Sequence, residues 1–519
     1  CAGKALVLLM YLMVRHAFDE TSGETTSIAS SRPGNVSMRI KATLTLGNCM
    51  TKIIPAMTGL LLAAASTAAS AQAPRPDQLE FRALYKELVE TNTTLSSGSC
   101  TEAAAKMGAR MKAAGYSDSQ LTFFSVPEHP KDGGLVAILP GSDANARPIL
   151  LLAHIDVVEA KREDWTHDPF TLIEENGYFY ARGSSDDKSQ AAIWTDALIN
   201  FKKSGYTPRR TIKMALTCGE ETGGAFNGAE WLSTKRRDLI DAEYALNEGG
   251  GGRLHADGRH EYLAINVGEK TYQDYDLTVT NPGGHSSRPV KPNAIYQLSA
   301  ALGRIGDYEF PVHLNDTTRA MFTQLSSITP KPLADAMREL AANPEDENAA
   351  EMVSRDPLYH SMMRTTCVAT RLDAGHANNA LPQRAHGNVN CRIAPGETTQ
   401  QVQAVLAKVV GDPAVAVSLA LPEATVAPTV PLKPEILGPA TELGKKMFPG
   451  VPMLPTMSTG ATDGRFLNAA GIPTYGIPGI FKDADGGFAH GLNERIRVKS
   501  LYEGRDYLIE LIKIYADSK

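Results

Sequence analysis

Residues 149–158, Ile-Leu-Leu-Leu-Ala-His-Ile-Asp-Val-Val, constrain the fold more than any other part of the chain. A run this apolar and this short leaves no polar side for solvent. It reads as a strand buried on both faces, the kind found inside a parallel sheet covered by helices. Similar runs recur at 135–139, ending at Pro140-Gly141, and at 211–218 and 244–246. Helical spacing lies around them. Residues 77–90 place Leu79, Phe81, Leu84, Tyr85, Leu88 and Val89 on a helical period, 101–114 repeat it with good helix formers, and 189–201 align Ile193, Ala197 and Phe201. Strands alternating with helices predict an α/β fold with a mostly parallel sheet sandwiched by helices.

The texture changes near residue 266. Residues 275–280 alternate polar and apolar side chains, as a strand solvated on one face does. Pro282-Gly283-Gly284 makes a turn, 293–305 read as helix, 306–365 are polar and helix-prone, and strand patterns return at 367–372 and 387–393. We read 269–428 as an inserted α+β domain. It divides a main domain into 77–268 and 429–519, with Pro428, Pro431 and Pro434 marking the return. A last helix over 501–515 buries Leu501, Leu508, Leu511, Ile512 and Tyr515.

The chain begins at Cys1 rather than Met. After Met50 come Lys52, an Ala-rich apolar run over 57–65, and Ala69-Ser70-Ala71. A short positive region, an apolar stretch and an A-x-A site predict a secretory signal peptide over 50–71. The alternative is a membrane anchor, for which the run falls short of the roughly 20 residues a span needs. Residues 1–49 then read as a non-native upstream segment, and the mature protein as periplasmic or secreted, with no stable membrane span. With 52 basic against 58 acidic residues, there is no basic excess to hold nucleic acid. Six cysteines are too few for a disulfide scaffold, and the absence of a C-x-x-C pair argues against a thiolate zinc site. Cys367 and Cys391 flank a predicted hairpin and are candidates to pair.

Chemistry-bearing side chains gather at the ends of the strand-like runs, where open α/β sheets collect functional groups. His154 and Asp156, two apart on an extended segment, point to one side. His154 can ligate a metal while Asp156 accepts its other ring N–H, or the histidine is simply a satisfied core residue. Asp186 and Asp187, in Gly-Ser-Ser-Asp-Asp-Lys before the helix at 189, either complement a helix dipole or supply a bridging carboxylate. Cys218-Gly219-Glu220-Glu221-Thr222-Gly223-Gly224 sets two carboxylates side by side, which repel unless a cation or proton intervenes. One can ligate while the other shuttles a proton; the alternative is a solvated acidic turn. Glu248 precedes a run of four glycines, and His490 sits in Gly486-Gly487-Phe488-Ala489-His490-Gly491. Imidazole and carboxylate donors without cysteine suit one or two zinc-like ions.

The order H-x-D, G-S-S-D-D-K, E-E-T-G-G, N-E-G-G-G and a late G-x-x-H-G resembles the zinc aminoacylase/carboxypeptidase family, metallopeptidase family twenty. Trp165, Asp168-Pro169-Phe170 and Arg182-Gly183 are most similar to its carboxypeptidase S branch. The resemblance spans about residues 80–515. It implies a zinc-exopeptidase-like sheet with an inserted lid or dimerisation domain, which can pair two subunits. It implies two Zn2+ ions, replaceable by Co2+ or Mn2+: one held by His154, Asp186 and Glu248, the other by Asp186, Glu221 and His490. Asp156 would orient His154 and Glu220 would be the general base. His285, in Gly284-His285-Ser286-Ser287, matches the family's lid histidine, and Asn379 and Arg392 its substrate-binding pair. The expected reaction is cleavage of an amide beside a free C-terminal carboxylate, which Arg392 can grip through paired hydrogen bonds. The substrate is a small peptide or, alternatively, an N-acyl amino acid. A third reading is a non-catalytic, metal-dependent binding protein, against which the free carboxylate of Glu220 speaks. The G-x-S-x-G elbow is missing after residue 71, and H-E-x-x-H is missing throughout.

Overall fold

The computed structural model describes residues 75–519 apart from Gly223, Gly224, Ala427 and Pro478. The segments read as upstream sequence (1–49) and signal peptide (50–71) lie outside the described residues.

A ten-stranded sheet forms the centre. Its order is Leu121–Val126, His129–Leu139, Ile212–Thr217, Ile149–His154, Tyr244–Asn247, Thr474–Gly476, His260–Glu269, Gly251–Leu254 and Phe481–Lys482, with Met453–Ser458 also paired to His260–Glu269. The run at 149–154 is buried at every position. Its side chains divide by parity. Ile149, Leu151 and Ala153 join a cluster with Phe81, Leu88, Met107, Trp194 and Leu508 from the helices Pro76–Glu90, Cys100–Ala113, Lys188–Lys203 and Val498–Asp517. Leu150 and Leu152 join Ala229, Leu232, Phe466 and Leu467 on the other side. Helices thus cover both faces, as the apolar run requires, and each fully buried leucine contributes about 1.5–3 kcal/mol. Trp194 Nε1–H donates to Leu152 O at 3.0 Å, and buried Arg505 donates to Asp196 Oδ2 at 2.7 Å, tying the last helix to the central one.

The sheet is mixed rather than mostly parallel. Ile149–His154 runs parallel to both Ile212–Thr217 and Tyr244–Asn247, and Thr474–Gly476 is parallel to Tyr244–Asn247. Toward the edges, Leu121–Val126 pairs antiparallel with His129–Leu139, and Gly251–Leu254 with His260–Glu269. These connections are too short for the crossover that a parallel pair needs. Periodicity reports burial and is silent on direction.

A second sheet is wholly antiparallel, in the order Thr366–Ala374, Arg384–Ile393, Thr271–Thr280 and Val415–Leu419. Tyr275, Leu277 and Val279 point from it into a cluster shared with the helices Ala294–Gly306 and Thr399–Val410. Cys367 and Cys391 are opposed across two of its strands and form a disulfide. The polar stretch 306–365 contains four helices, three of them capped at the N-terminus by the side chains of Asn315, Asp346 and Asp356. Their apolar faces, with Phe322, Met337, Leu340 and Val353, close around Leu454 of the large sheet. Among the described residues, no helix is long and apolar enough to cross a membrane.

Candidate active site

Each donor hangs from the end of a secondary-structure element. His154 is the last residue of the central strand, Asp186 lies in the turn before the helix Lys188–Lys203, and Glu220 and Glu221 follow the strand Ile212–Thr217. Glu248 follows Tyr244–Asn247, and His490 lies in the loop after residues 486–488. The three parallel strands bring His154, the glutamate pair and Glu248 to one end of the sheet.

The side chains form two groups that share one carboxylate. His154 Nε2 lies 3.3 Å from Asp186 Oδ1 and 3.7 Å from Glu248 Oε1. His490 Nε2 lies 3.2 Å from Asp186 Oδ2 and 2.9 Å from Glu221 Oε2. Asp186 therefore turns one oxygen toward each imidazole. Donor atoms of His154, Asp186 and Glu221, and of His154, Glu220 and Glu248, each fall within 4.8 Å of one another.

Asp156 differs in detail from expectation. The His154 Nδ1 position is closer to the Asp156 backbone carbonyl, at 3.1 Å, than to its carboxylate, at 3.6 Å. The carboxylate instead accepts the backbone N–H of Glu221 at 3.0 Å and of Glu220 at 3.4 Å. One residue thus bears on both the histidine and the glutamate loop. Gly219 enters that loop with φ +95°, and a Cβ there would meet Phe226 O at 1.9 Å, so only glycine fits.

The electrostatics record an excess of negative charge. Burial pushes the Glu220 carboxyl well up, helped by Asp463, Glu221 and Asp156 and opposed by His154. Glu248 is likewise raised by burial and by Glu220, Asp186 and Asp187. Burial alone would lower His154, but Glu248, Asp156 and Asp186 hold it well above the ordinary imidazole value. Asp186 and Glu221 raise His490 to about 10. Several carboxylates crowd two imidazoles, an arrangement that divalent cations would neutralise. The donors are all oxygen and imidazole nitrogen, which fits zinc, manganese or cobalt. Cys100 and Cys218, beside Asp156, are joined in a disulfide and offer no thiolate.

The remaining predicted residues lie on the second sheet and its ribbon. Gly284–His285 pairs with Ala380–Leu381, and Ser286 N–H donates to Asn379 O at 3.0 Å. His285 is exposed, its Nδ1 accepting from Ser287. Neither His285 nor Asn379 bonds to the clustered donors among the described residues. The Arg392 guanidinium stacks 4.7 Å from the Tyr272 ring centre; burial lowers its pKa, while Tyr272, Asp274 and Glu220 oppose that.

Two supporting carboxylates had no signal in the sequence. Buried Asp463 accepts from Asn227 Nδ2 at 2.6 Å and Thr217 Oγ1 at 3.1 Å, and Asn227 also donates to Gly219 O. Glu494 accepts from Arg182 at 2.8 Å and from the backbone around Asp186. A lone acidic residue in Thr-Asp-Gly or Asn-Glu-Arg looks like any surface carboxylate until the fold buries it.

A model of peptidase family M20/M25/M40 matches residues 150–514. The human protein named N-fatty-acyl-amino acid synthase/hydrolase PM20D1 is 31% identical over 390 residues, covering 72% of this chain and 75% of its own. Probable carboxypeptidase S-like 2 of Dictyostelium discoideum is 28% identical, covering 72% of each chain. Among solved structures, the M20 family metallo-carboxypeptidase Sso-CP2 from Sulfolobus solfataricus has a TM-score of 0.64 at 19% identity, covering 84% of this chain and 99% of its own.

Proposed function

The chain is a hydrolase of peptidase family M20/M25/M40, and on that premise we propose that it cleaves the amide bond of small peptides ending in a free carboxylate. The observation that carries this reading is Asp186, shared between the two imidazole–carboxylate groups with one oxygen on each. His154, Asp186 and Glu248 would hold one divalent cation, and Asp186, Glu221 and His490 the other, zinc being the first candidate. When bound, such ions lower the pKa of water and polarise a carbonyl. Glu220 forms no ion pair with either imidazole and has a raised pKa. That suits a group that takes a proton from the attacking water and returns it to the leaving amine. Asp156 holds the glutamate loop through its backbone N–H groups. His285, exposed on its ribbon, is assigned to the developing oxyanion, from its own subunit or a neighbouring one. Asn379 and Arg392 are assigned to the substrate carboxylate. In this reading residues 269–428 form the lid that carries all three, and a surface through which two copies can pair.

A second reading, hydrolysis of N-acyl amino acids, is favoured by the name of the human relative. Both reactions release an amine that carries a carboxylate, so they share every step above. Export through residues 50–71 to the periplasm or exterior is supported by the two disulfides, which persist in oxidising compartments.

The test is a substrate panel on metal-stripped and zinc-restored protein: dipeptides, N-acetyl and N-oleoyl amino acids, and their C-terminally amidated forms. Zinc-dependent cleavage of the free acids, lost on amidation, is expected. Faster turnover of N-oleoyl amino acids than of dipeptides would favour the second reading. Cleavage that ignores amidation would overturn the carboxylate-gripping role of Arg392.

A further inference from the structure

The two loops that supply Asp186 and His490 are joined by a buried ion pair that makes no contact with either imidazole ring. Glu494, 1% exposed, sits four residues beyond His490. Its Oε1 accepts the backbone N–H of Ser185 at 2.8 Å and of Asp186 at 3.0 Å. Its Oε2 accepts the N–H of Gly183 at 2.9 Å and Arg182 Nη1 at 2.8 Å. A carboxylate has about four acceptor positions, and here all are taken. Arg182 completes the link from the other side. Its Nη2 donates to Gly491 O at 2.9 Å and to His490 O at 3.4 Å, and its guanidinium lies 4.9 Å from the Trp165 ring centre.

The loop that carries His490 needs such a hold. Phe488, His490 and Asn493 all have positive φ, at 58°, 62° and 55°. Non-glycine residues adopt this left-handed conformation at a cost and keep it only where their surroundings enforce it. The His490 side chain is itself 57% exposed, so packing around the ring does little to hold it. Charge pairing alone is a weak reason to bury two ions, because their desolvation offsets most of the attraction. What this pair does provide is a fixed distance between the backbone that carries Asp186 and the backbone that carries His490.

We infer that Glu494 and Arg182 are positioning residues that set the separation of the Asp186 and His490 loops and thereby govern occupancy of the cation position built from Asp186, Glu221 and His490. The other position also takes an oxygen from Asp186, but its remaining donors, His154 and Glu248, hang from strand ends that the sheet already fixes. The inference rests on the two-cation reading above. It adds that the two positions respond unequally to a change that touches neither.

Zinc titration of metal-stripped wild type, Glu494→Gln and Arg182→Lys tests this. Glu494→Gln keeps size and shape but places an amide nitrogen against two donors. Arg182→Lys keeps the charge but cannot span Glu494 and both carbonyls. Wild type should bind two zinc ions per chain. In each variant the zinc held by Asp186, Glu221 and His490 should weaken by about 10–100-fold, the scale of losses from support residues around metal sites, and the other, which shares only Asp186, clearly less. At limiting zinc, kcat should fall in proportion with KM little changed, and added zinc should restore it. Two unaltered affinities in a folded variant overturn the inference, as does equal weakening of both ions with a lowered melting temperature, which marks a merely structural pair. Should Glu494→Gln fail to fold, Arg182→Lys decides. Wild type binding fewer than two ions would instead sink the two-cation reading itself.

Discussion

Glu220 and Glu221 are neighbours in sequence whose surroundings give them different work. Glu221 lies against His490, whereas Glu220 is half-buried, forms no ion pair with either imidazole, and has its carboxyl pushed well up. Glu220→Gln should therefore lower kcat by about 10²–10⁴-fold, the usual worth of a general base, and leave the zinc content unchanged. Steady-state kinetics with metal analysis checks this, and a normal kcat would remove Glu220 from the mechanism. At this scale the sequence was informative wherever a chemistry-bearing residue followed a strand-like run. His154, Asp186, the glutamate pair and Glu248, singled out in that way, and His490, singled out by its place in the family order, lie together in the structure. Asp463 and Glu494 were not, because their roles depend on partners 246 and 309 residues away, such as Thr217 and Ser185.

Helices and strands bring these residues together, and a covalent tie holds one such junction. The Cys100–Cys218 disulfide joins the first residue of the helix Cys100–Ala113 to the residue after the strand Ile212–Thr217, just before Gly219-Glu220. It closes a separation of 118 residues, against 24 for Cys367–Cys391. Closing the longer loop removes more entropy from the unfolded chain. Replacing Cys100 and Cys218 together by alanine should cost about 2–5 kcal/mol in urea unfolding. Replacing Cys367 and Cys391 should cost less, and the reverse order would refute the argument. Of the two bridges, the cross-strand one was a candidate in the sequence, since both cysteines flank one predicted hairpin. The longer one was invisible, because its partners come from elements whose proximity only the assembled sheet decides. The same limit applied to strand direction, where apolar runs reported two-sided burial correctly but not which edges turn back as hairpins.

For the molecule as a whole, stability should carry the signature of a buried acid that forms no ion pair with either imidazole. Glu269 ends a strand of the large sheet and accepts from Thr462 N at 2.7 Å and Oγ1 at 2.8 Å. Burial pushes its carboxyl from 4.5 up to about 7, against the pull of those hydrogen bonds. The folded state thus binds this proton more tightly than the unfolded chain does. The resulting stabilisation is fully present below pH 4.5 and lost as the pH rises to about 7. Relative to Glu269→Gln, the wild type should lose about 3 kcal/mol over that interval, read from urea unfolding at each end. A constant difference would show that Glu269 does not titrate abnormally. Long-range assembly also orders events in time. Arg182 meets Glu494 across 312 residues of chain, and Glu221 meets His490 across 269. A ribosome making this protein has released His154, Asp186, Glu221 and Glu248 long before His490 and Glu494 emerge. On the proposed reading the nascent polypeptide is an incomplete catalyst for nearly the whole of its synthesis, and a truncation before residue 490 should hydrolyse nothing, since it lacks His490 and also the last helix, which packs into the main core.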